Sequence, residues 1–194
     1  MKPNNDLELF ILSPSSGEYK FAENLFKKSV SSVNFTKMWR IQNKPLWDRY
    51  FREKTKVIKE KGKCEEQFLF HGTRSSSPRT LYTTGFDVSF SSDSGMYGRG
   101  IYFARQSVYS YSGYAFNYGN KYYMFIALVL TGMTNTQDSD SNLRKPPFFD
   151  RSKYIYYDSV TDTSNPSNSY DVSQMFIVYN NEKAYPFYLM EYEQ

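Results

Sequence analysis

The chain has 194 residues, a net charge of +4, one cysteine and one histidine. That length suits one domain with a proper buried core. The lone Cys64 excludes an internal disulfide, and with His71 as the only histidine a zinc site of His and Cys ligands cannot be assembled within the chain. No ligand spacing suggests a carboxylate-bound metal, so none is expected. The N-terminus lacks a signal-peptide core, and the longest apolar run, Met124 to Leu130, is far too short to cross a membrane. The reading is a soluble intracellular protein, cytoplasmic or nuclear, with no membrane partner. Aromatic residues make up 19%, with 19 Tyr and 16 Phe. Tyrosine pairs a flat face with a polar tip, so such a chain can line a polar cleft as well as fill a core, although most of these rings read as plain strand residues.

Leu7 to Leu12 reads as a first strand. Ser15 with Glu18 makes a capping box for a short helix whose apolar face is Phe21, Ala22, Leu25 and Phe26. Val33 and Phe35 alternate into a strand running to about Ile41. Asn43, two residues before Pro45, opens a second helix with the apolar stripe Leu46, Tyr50, Val57 and Ile58, stopped at Gly62. The basic residues Lys54, Lys56, Lys59, Lys61 and Lys63 are interrupted by Glu53 and Glu60, which favours a solvated helix face over a nucleic-acid surface. Cys64, among Lys63, Glu65 and Glu66, is expected to be exposed.

The next strand, Phe68-Leu69-Phe70, delivers His71 and Gly72 to its end, with Thr73 following. An imidazole there can hold a hydroxyl or a phosphate, and a bare glycine lets a planar ligand reach the main chain. Taken alone, a histidine beside an apolar run is more often a satisfied structural residue. Ser77-Pro78 and Gly85 bracket a two-turn helix. Residues 87–100 read as a loop that folds over something. Its Gly95, Gly98 and Gly100 have the wrong spacing for a dinucleotide fingerprint and lead into the strand-like Ile101-Tyr102-Phe103-Ala104, so Rossmann and Walker readings are rejected. Residues 106–118 are predicted to form a helix with an aromatic face of Tyr109, Tyr111, Tyr114 and Tyr118. Tyr123 to Leu130 is the strongest strand and suits a central position. A polar insertion over 132–153, a strand at Tyr154 to Tyr157, a loop over 162–171 and two strands, Met175 to Tyr179 and Phe187 to Tyr192, complete an α+β chain with a mostly antiparallel sheet.

Four pieces, in this order and spacing, carry a resemblance. They are Phe70-His71-Gly72-Thr73; Tyr97-Gly98-Arg99-Gly100-Ile101-Tyr102-Phe103-Ala104; Ser110 with Tyr114; and Met175-Phe176-Ile177-Val178-Tyr179 followed by Ala184-Tyr185-Pro186. The chain resembles the catalytic domain of the poly(ADP-ribose) polymerase (PARP) family, and within it the small mono-ADP-ribosylating branch. The resemblance implies the ADP-ribosyltransferase fold, a split antiparallel sheet with flanking helices, as a single domain. Residues 1–67 would be its lead-in and 68–194 its NAD-binding core, with no regulatory helical bundle. It implies NAD as substrate and no metal. His71 would hydrogen-bond a ribose hydroxyl; Gly72 would clamp the nicotinamide carboxamide through its main chain; Ser110 would add a third hydrogen bond. Tyr114 would stack on the nicotinamide ring with Tyr102 opposite, Tyr111 being a close neighbour for the same role, and Thr73 is a further contact.

Polymerising members of the family place a glutamate where this chain has Met175. A thioether cannot act as a general base and accepts hydrogen bonds weakly. The resemblance therefore implies transfer of one ADP-ribose per site, to a protein acceptor, with automodification included and a nucleic-acid end less favoured. The acceptor surface is expected near Met175 and the 162–171 loop. The alternative is an inactive module of the same fold that binds a partner or RNA, against which stands the retention of both His71 and Tyr102.

Overall fold

The computed structural model describes residues 6–162 and 174–194. The chain opens with strand β1 (Leu7–Ile11), helix α1 (Gly17–Lys27), strand β2 (Asn34–Asn43) and helix α2 (Lys44–Lys61). Then follow β3 (Glu66–His71), α3 (Pro78–Thr84), a 3-10 turn at Val88–Phe90, β4 (Ile101–Ala104) and α4 (Ser107–Tyr111). The remainder is strand: β5 (Phe116–Tyr118), β6 (Lys121–Leu130), β7 (Thr134–Thr136), β8 (Phe148–Asp150), β9 (Ile155–Tyr156), β10 (Ser159–Thr161), β11 (Met175–Val178) and β12 (Ala184–Glu193). Among the described residues no helix is long and apolar enough to cross a membrane.

Local chemistry sets most of these boundaries. The Asn43 side chain accepts the Leu46 N–H at 3.1 Å and caps α2. Gly62 ends that helix in the left-handed region at φ 80°, with its N–H on the Ile58 carbonyl. α1 is capped by Ser16, which accepts the Tyr19 N–H at 3.1 Å, and not by Ser15; the cap falls one residue later than the capping-box spacing suggests. On α2 the buried face is Leu46, Tyr50, Glu53 and Val57, while Ile58 turns outward at 41% exposure. The aromatic helix predicted over 106–118 is only the five residues of α4. The chain turns at 112–114 and re-enters the sheet as β5, leaving Tyr118 exposed. Glycine at 113 and the alternation of Phe116 and Tyr118 beside β6 outweigh the tyrosine periodicity.

Nine strands run in the order β1-β2-β12-β6-β3-β4-β11-β10-β7, with β5 added on β6 and β8-β9 as a separate pair. Every pairing is antiparallel except β10 with β7. The central position of β6 follows from its continuous apolar run. Met124 and Ile126 pack on one face with Phe26, Phe70 and Met190, and Phe125, Ala127 and Val129 on the other with Leu69, Phe103 and Leu189. β11 and β12 are adjacent in sequence but lie on opposite sides of β6, β3 and β4, so the 180–183 segment crosses the sheet instead of making a hairpin. The β3–β4 contact is a single pair, Phe70 with Ala104. There the sheet divides into two halves, and a cleft opens.

Behind the sheet, Asp158 binds two buried lysines through one oxygen, Lys61 at 2.7 Å and Lys183 at 2.6 Å, while its other oxygen accepts the Met133 N–H at 2.9 Å. Lys61 is therefore not solvated, and Lys54 pairs with Glu66, which breaks up the basic run of α2. Cys64 is half-buried beside Leu46 and Leu130, not exposed, because the chain must pass under α2 to start β3; burial pushes its thiol up to about 11. The stretch read as a loop over 162–171 lies, from residue 163 on, outside the described residues.

Burial acts to raise the Asp158 carboxyl, but the Lys183 and Lys61 ammonium groups and the Met133 N–H outweigh it and hold it below the usual range. Its stabilisation is complete above the ordinary pKa of about 3.9 and is lost as pH falls through the lower folded value. Asp158→Ala strands two buried cations and is expected to cost on the order of 3–5 kcal/mol in denaturant unfolding.

Candidate active site

The cleft where β3 leaves β4 is a cavity of about 600 Å³. His71, Gly72, Thr73, Tyr102, Ser110, Tyr114 and Met175, all anticipated from the sequence, line it.

His71 is the last residue of β3, and its Nδ1 lies 2.8 Å from the Tyr102 carbonyl oxygen in β4. A carbonyl only accepts, so Nδ1 carries the proton and Nε2 of the neutral ring keeps a lone pair. Burial lowers the imidazole pKa, outweighing the carbonyl bond, and the ring is neutral at pH 7. Phe86 meets it edge-on at 5.1 Å and Phe103 at 5.4 Å, which fixes its plane.

Gly72 follows. A side chain there would run into the main chain of Tyr114, so only glycine fits. Among the described residues no hydrogen bond engages the Gly72 N–H or C=O. Arg74, at φ 51°, donates its N–H to the Tyr114 carbonyl at 2.8 Å and lays its guanidinium 4.2 Å from the centre of the Tyr114 ring. Tyr114 also stacks on Tyr109, with ring centres 5.1 Å apart and planes 13° apart. Thr73 spends its hydroxyl on the Ser76 carbonyl at 2.6 Å.

Ser110, in α4, is 3% exposed. Its carbonyl accepts the Tyr114 and Ala115 N–H groups, which curls the chain back towards Gly72. Its hydroxyl has no hydrogen-bond partner among the described residues. Buried hydroxyls nearly always have one, and a group left open on a cavity wall is available to a ligand.

The Tyr102 hydroxyl accepts the Tyr97 N–H and donates to the Gly98 carbonyl, both at 2.8 Å. Burial raises its pKa, so it stays protonated and can make both bonds. The loop over 95–100 is thus pinned from beneath by Tyr102, with Gly98 at φ 67° wedged against the Leu143 main chain. Met175 opens β11 opposite Ala104, 6% exposed and packed with Tyr97, Val160 and Ile177.

The sequence reading missed Phe86, Arg74 and Tyr109. Tyr109 sits one residue before Ser110 and was visible as part of an aromatic run, and Arg74 directly follows Thr73; Phe86 had no signal, since only the fold brings it to the cleft. Among the described residues no three His, Cys, Asp or Glu side chains are arranged to hold a metal ion.

The model of the poly(ADP-ribose) polymerase catalytic domain matches residues 16–194. The chain belongs to this family. It is 30% identical to mouse (Mus musculus) protein mono-ADP-ribosyltransferase PARP11, covering 99% of this chain and 62% of that protein. It is 32% identical to mouse protein mono-ADP-ribosyltransferase PARP12, covering 98% and 26%. A Dictyostelium discoideum protein named probable poly [ADP-ribose] polymerase is 35% identical, with 98% and 54% covered. The chain thus spans from about a quarter to three-fifths of these relatives. The order of the matching motifs along the chain becomes the arrangement of the cleft wall.

Because the folded His71 pKa lies below its ordinary 6.5, stability attributable to it is present above that value and is lost as pH falls from 6.5 through the folded pKa. An imidazole NMR titration should give a midpoint below 6.5, and His71→Gln should flatten the stability profile over that window. Gly72→Ala should cost about 1–3 kcal/mol, the range for forcing atoms into a packed site, read by thermal unfolding.

Proposed function

We propose that this chain is an NAD-dependent mono-ADP-ribosyltransferase. It moves one ADP-ribose from NAD to a protein acceptor and releases nicotinamide. We infer that residues 1–194 act as one catalytic unit, in the cytoplasm or the nucleus. The carrying observation is the set of unspent polar groups on one wall of the cleft: the His71 Nε2, the Gly72 main chain and the buried Ser110 hydroxyl.

These residues fit NAD. The flat, side-chain-free approach at Gly72 suits a planar amide, whose N–H and C=O pair with the complementary main-chain groups. Ser110 adds a third directional bond to the same amide. The neutral His71 Nε2 accepts from a ribose hydroxyl, which a protonated ring would not do. Tyr102 and Tyr114 bound the ring slot, and the Tyr109 and Arg74 contacts hold Tyr114 in place.

NAD supplies the glycosidic bond whose cleavage releases neutral nicotinamide and builds positive charge on the ribose. No strong acid is required of the protein. Its task is to hold the leaving group, orient the sugar and exclude water. The glycine loop pinned by Tyr102 borders the cleft, and Met96 of that loop with Phe90 of the preceding 3-10 turn adds apolar lining.

Met175 bears on the mono outcome. Polymerising relatives carry a glutamate there to activate the acceptor hydroxyl; a buried thioether gives no such help, and losing a general base costs typically about 10²–10⁴-fold. The names of PARP11 and PARP12 agree with this reading. The Dictyostelium name does not, and the Met175 environment decides our choice. An acidic acceptor side chain would bring its own carboxylate. The RNA-binding alternative loses its main support because Lys54 and Lys61 are taken up in ion pairs.

Incubation with labelled NAD should give discrete label on protein and free nicotinamide, both lost in Tyr102→Ala. Ladders of poly(ADP-ribose) would refute the mono assignment. Ser110→Ala should raise KM for NAD roughly tenfold, the value of one lost hydrogen bond, with the fold intact by circular dichroism.

A further inference from the structure

A second cavity of about 560 Å³ lies between α2, the β8–β9 region and the 3-10 turn at Asn181–Lys183, and shares no lining residue with the first. Its size is that of a small-molecule pocket, for which about 300–1,000 Å³ is typical.

Five lysines and three carboxylates line it, a surplus of two positive charges. At its base the Lys61–Asp158–Lys183 cluster carries two cations on one anion, with side-chain exposures of 7%, 2% and 11%. Among the described residues the Lys183 ammonium has only Asp158 as partner, so two of its three N–H donors remain. A buried cluster with a net charge calls for a counter-charge beside it. Lys145 and Lys153 are the exposed lysines of its lining and so stand at the mouth; Lys153 also pairs with Asp150 at 3.6 Å.

Two further groups narrow the ligand. Glu53 is 7% exposed, occupies the buried face of α2, and has no hydrogen-bond or ion-pair partner among the described residues. A carboxylate in that state accepts from hydroxyl or amino donors. The rim carries flat rings: Tyr156 is stacked on Phe148 at 4.2 Å and held by the Lys145 ammonium at 2.6 Å, and Tyr154 stands 77% exposed.

We propose that this second cavity is a binding site for a nucleoside phosphate, with the phosphate on Lys183 and the mouth lysines, the ribose diol on Glu53 and the base against the rim tyrosines. A bare phosphate would satisfy the lysines and leave the Glu53 carboxylate, which opens on the cavity, with no ligand donor. A nucleic-acid strand needs an open groove, whereas this cavity has room for about one nucleotide.

The test is titration of the chain with uridine 5′-phosphate, followed by calorimetry and by backbone amide shifts. A pyrimidine nucleotide is chosen because adenine nucleotides share half of NAD. Inorganic phosphate, uridine and a short 5′-phosphorylated RNA are the comparison probes. Saturable binding is expected, with shifts confined to the amides of 53–61, 153–158 and 179–183. The double variant Lys145→Ala/Lys153→Ala should weaken it at least tenfold, and Glu53→Gln should weaken uridine 5′-phosphate without changing the affinity for inorganic phosphate. Both variants alter residues outside the first cavity. Absence of binding, shifts centred on His71, Tyr102 and Ser110, equal affinity for inorganic phosphate, or binding of the RNA alone would each overturn the proposal. The readout uses no NAD and no turnover, so a failure of the transferase reading leaves it standing.

Discussion

The hydrogen bond from His71 Nδ1 to the Tyr102 carbonyl is the contact on which the cleft depends. The two halves of the sheet share one main-chain pair, Phe70 with Ala104. Further ladder pairing would close the cleft, and no link at all would leave its walls without a fixed separation. A side chain that spans the gap at 2.8 Å keeps the walls apart and in register at once. The same bond selects the tautomer, so the atom facing a ligand is a lone pair and not a proton. Tyr102 then extends the constraint: its carbonyl holds the histidine and its hydroxyl holds the Tyr97–Gly98 loop. One strand residue thereby ties together the floor and the cover of the site.

Tyrosine does two kinds of task here, and its polar tip separates them. In the core, Phe26 meets Phe35, Phe70 and Tyr111 at near-perpendicular angles and Tyr192 at 63°, edge-to-face arrangements that aromatic quadrupoles favour. Several buried and half-buried hydroxyls are satisfied: Tyr50 by Glu66, Tyr123 by Glu191, Tyr179 by the Tyr97 carbonyl. The Tyr192 hydroxyl has no partner among the described residues, a cost that its ring contacts offset. In the cleft the rings instead make walls. Met175 stands between these worlds, in an apolar cluster with Val160 and Ile177. A carboxylate in that cluster would be desolvated and pushed up in pKa.

Much of this was legible in order. Strand patterns at β3 and β6, the Asn43 cap and the Gly62 stop are local effects, decided within a few residues of chain, and the structure keeps them. The seven residues named for the site converge because they lie in short motifs whose spacing survives folding. Where several weak local signals competed, the reading strayed. Ser15 and Ser16 are both competent caps, and only the entry angle of the chain chooses between them. The tyrosines of 109–118 have helical spacing, yet pairing with β6 captures the second half as strand. β11 and β12 are close in sequence, yet β6, β3 and β4 lie between them in the sheet.

The sequence by itself determined the strands and helices up to β4, the family motifs and the inability of the Met175 thioether to act as a base, because each depends on residue identity at fixed short separations. Only the tertiary structure decided that the sheet is joined at a single pair, that Arg74 and Tyr109 brace Tyr114, that Phe86 sets the plane of His71, and that Asp158 gathers Lys61 and Lys183 beneath a second cavity. Apart from the Tyr109–Tyr114 stack, which is local, those contacts link residues from about 15 to nearly 100 positions apart. They are selected by which surfaces must leave water together, and no local pattern encodes that choice.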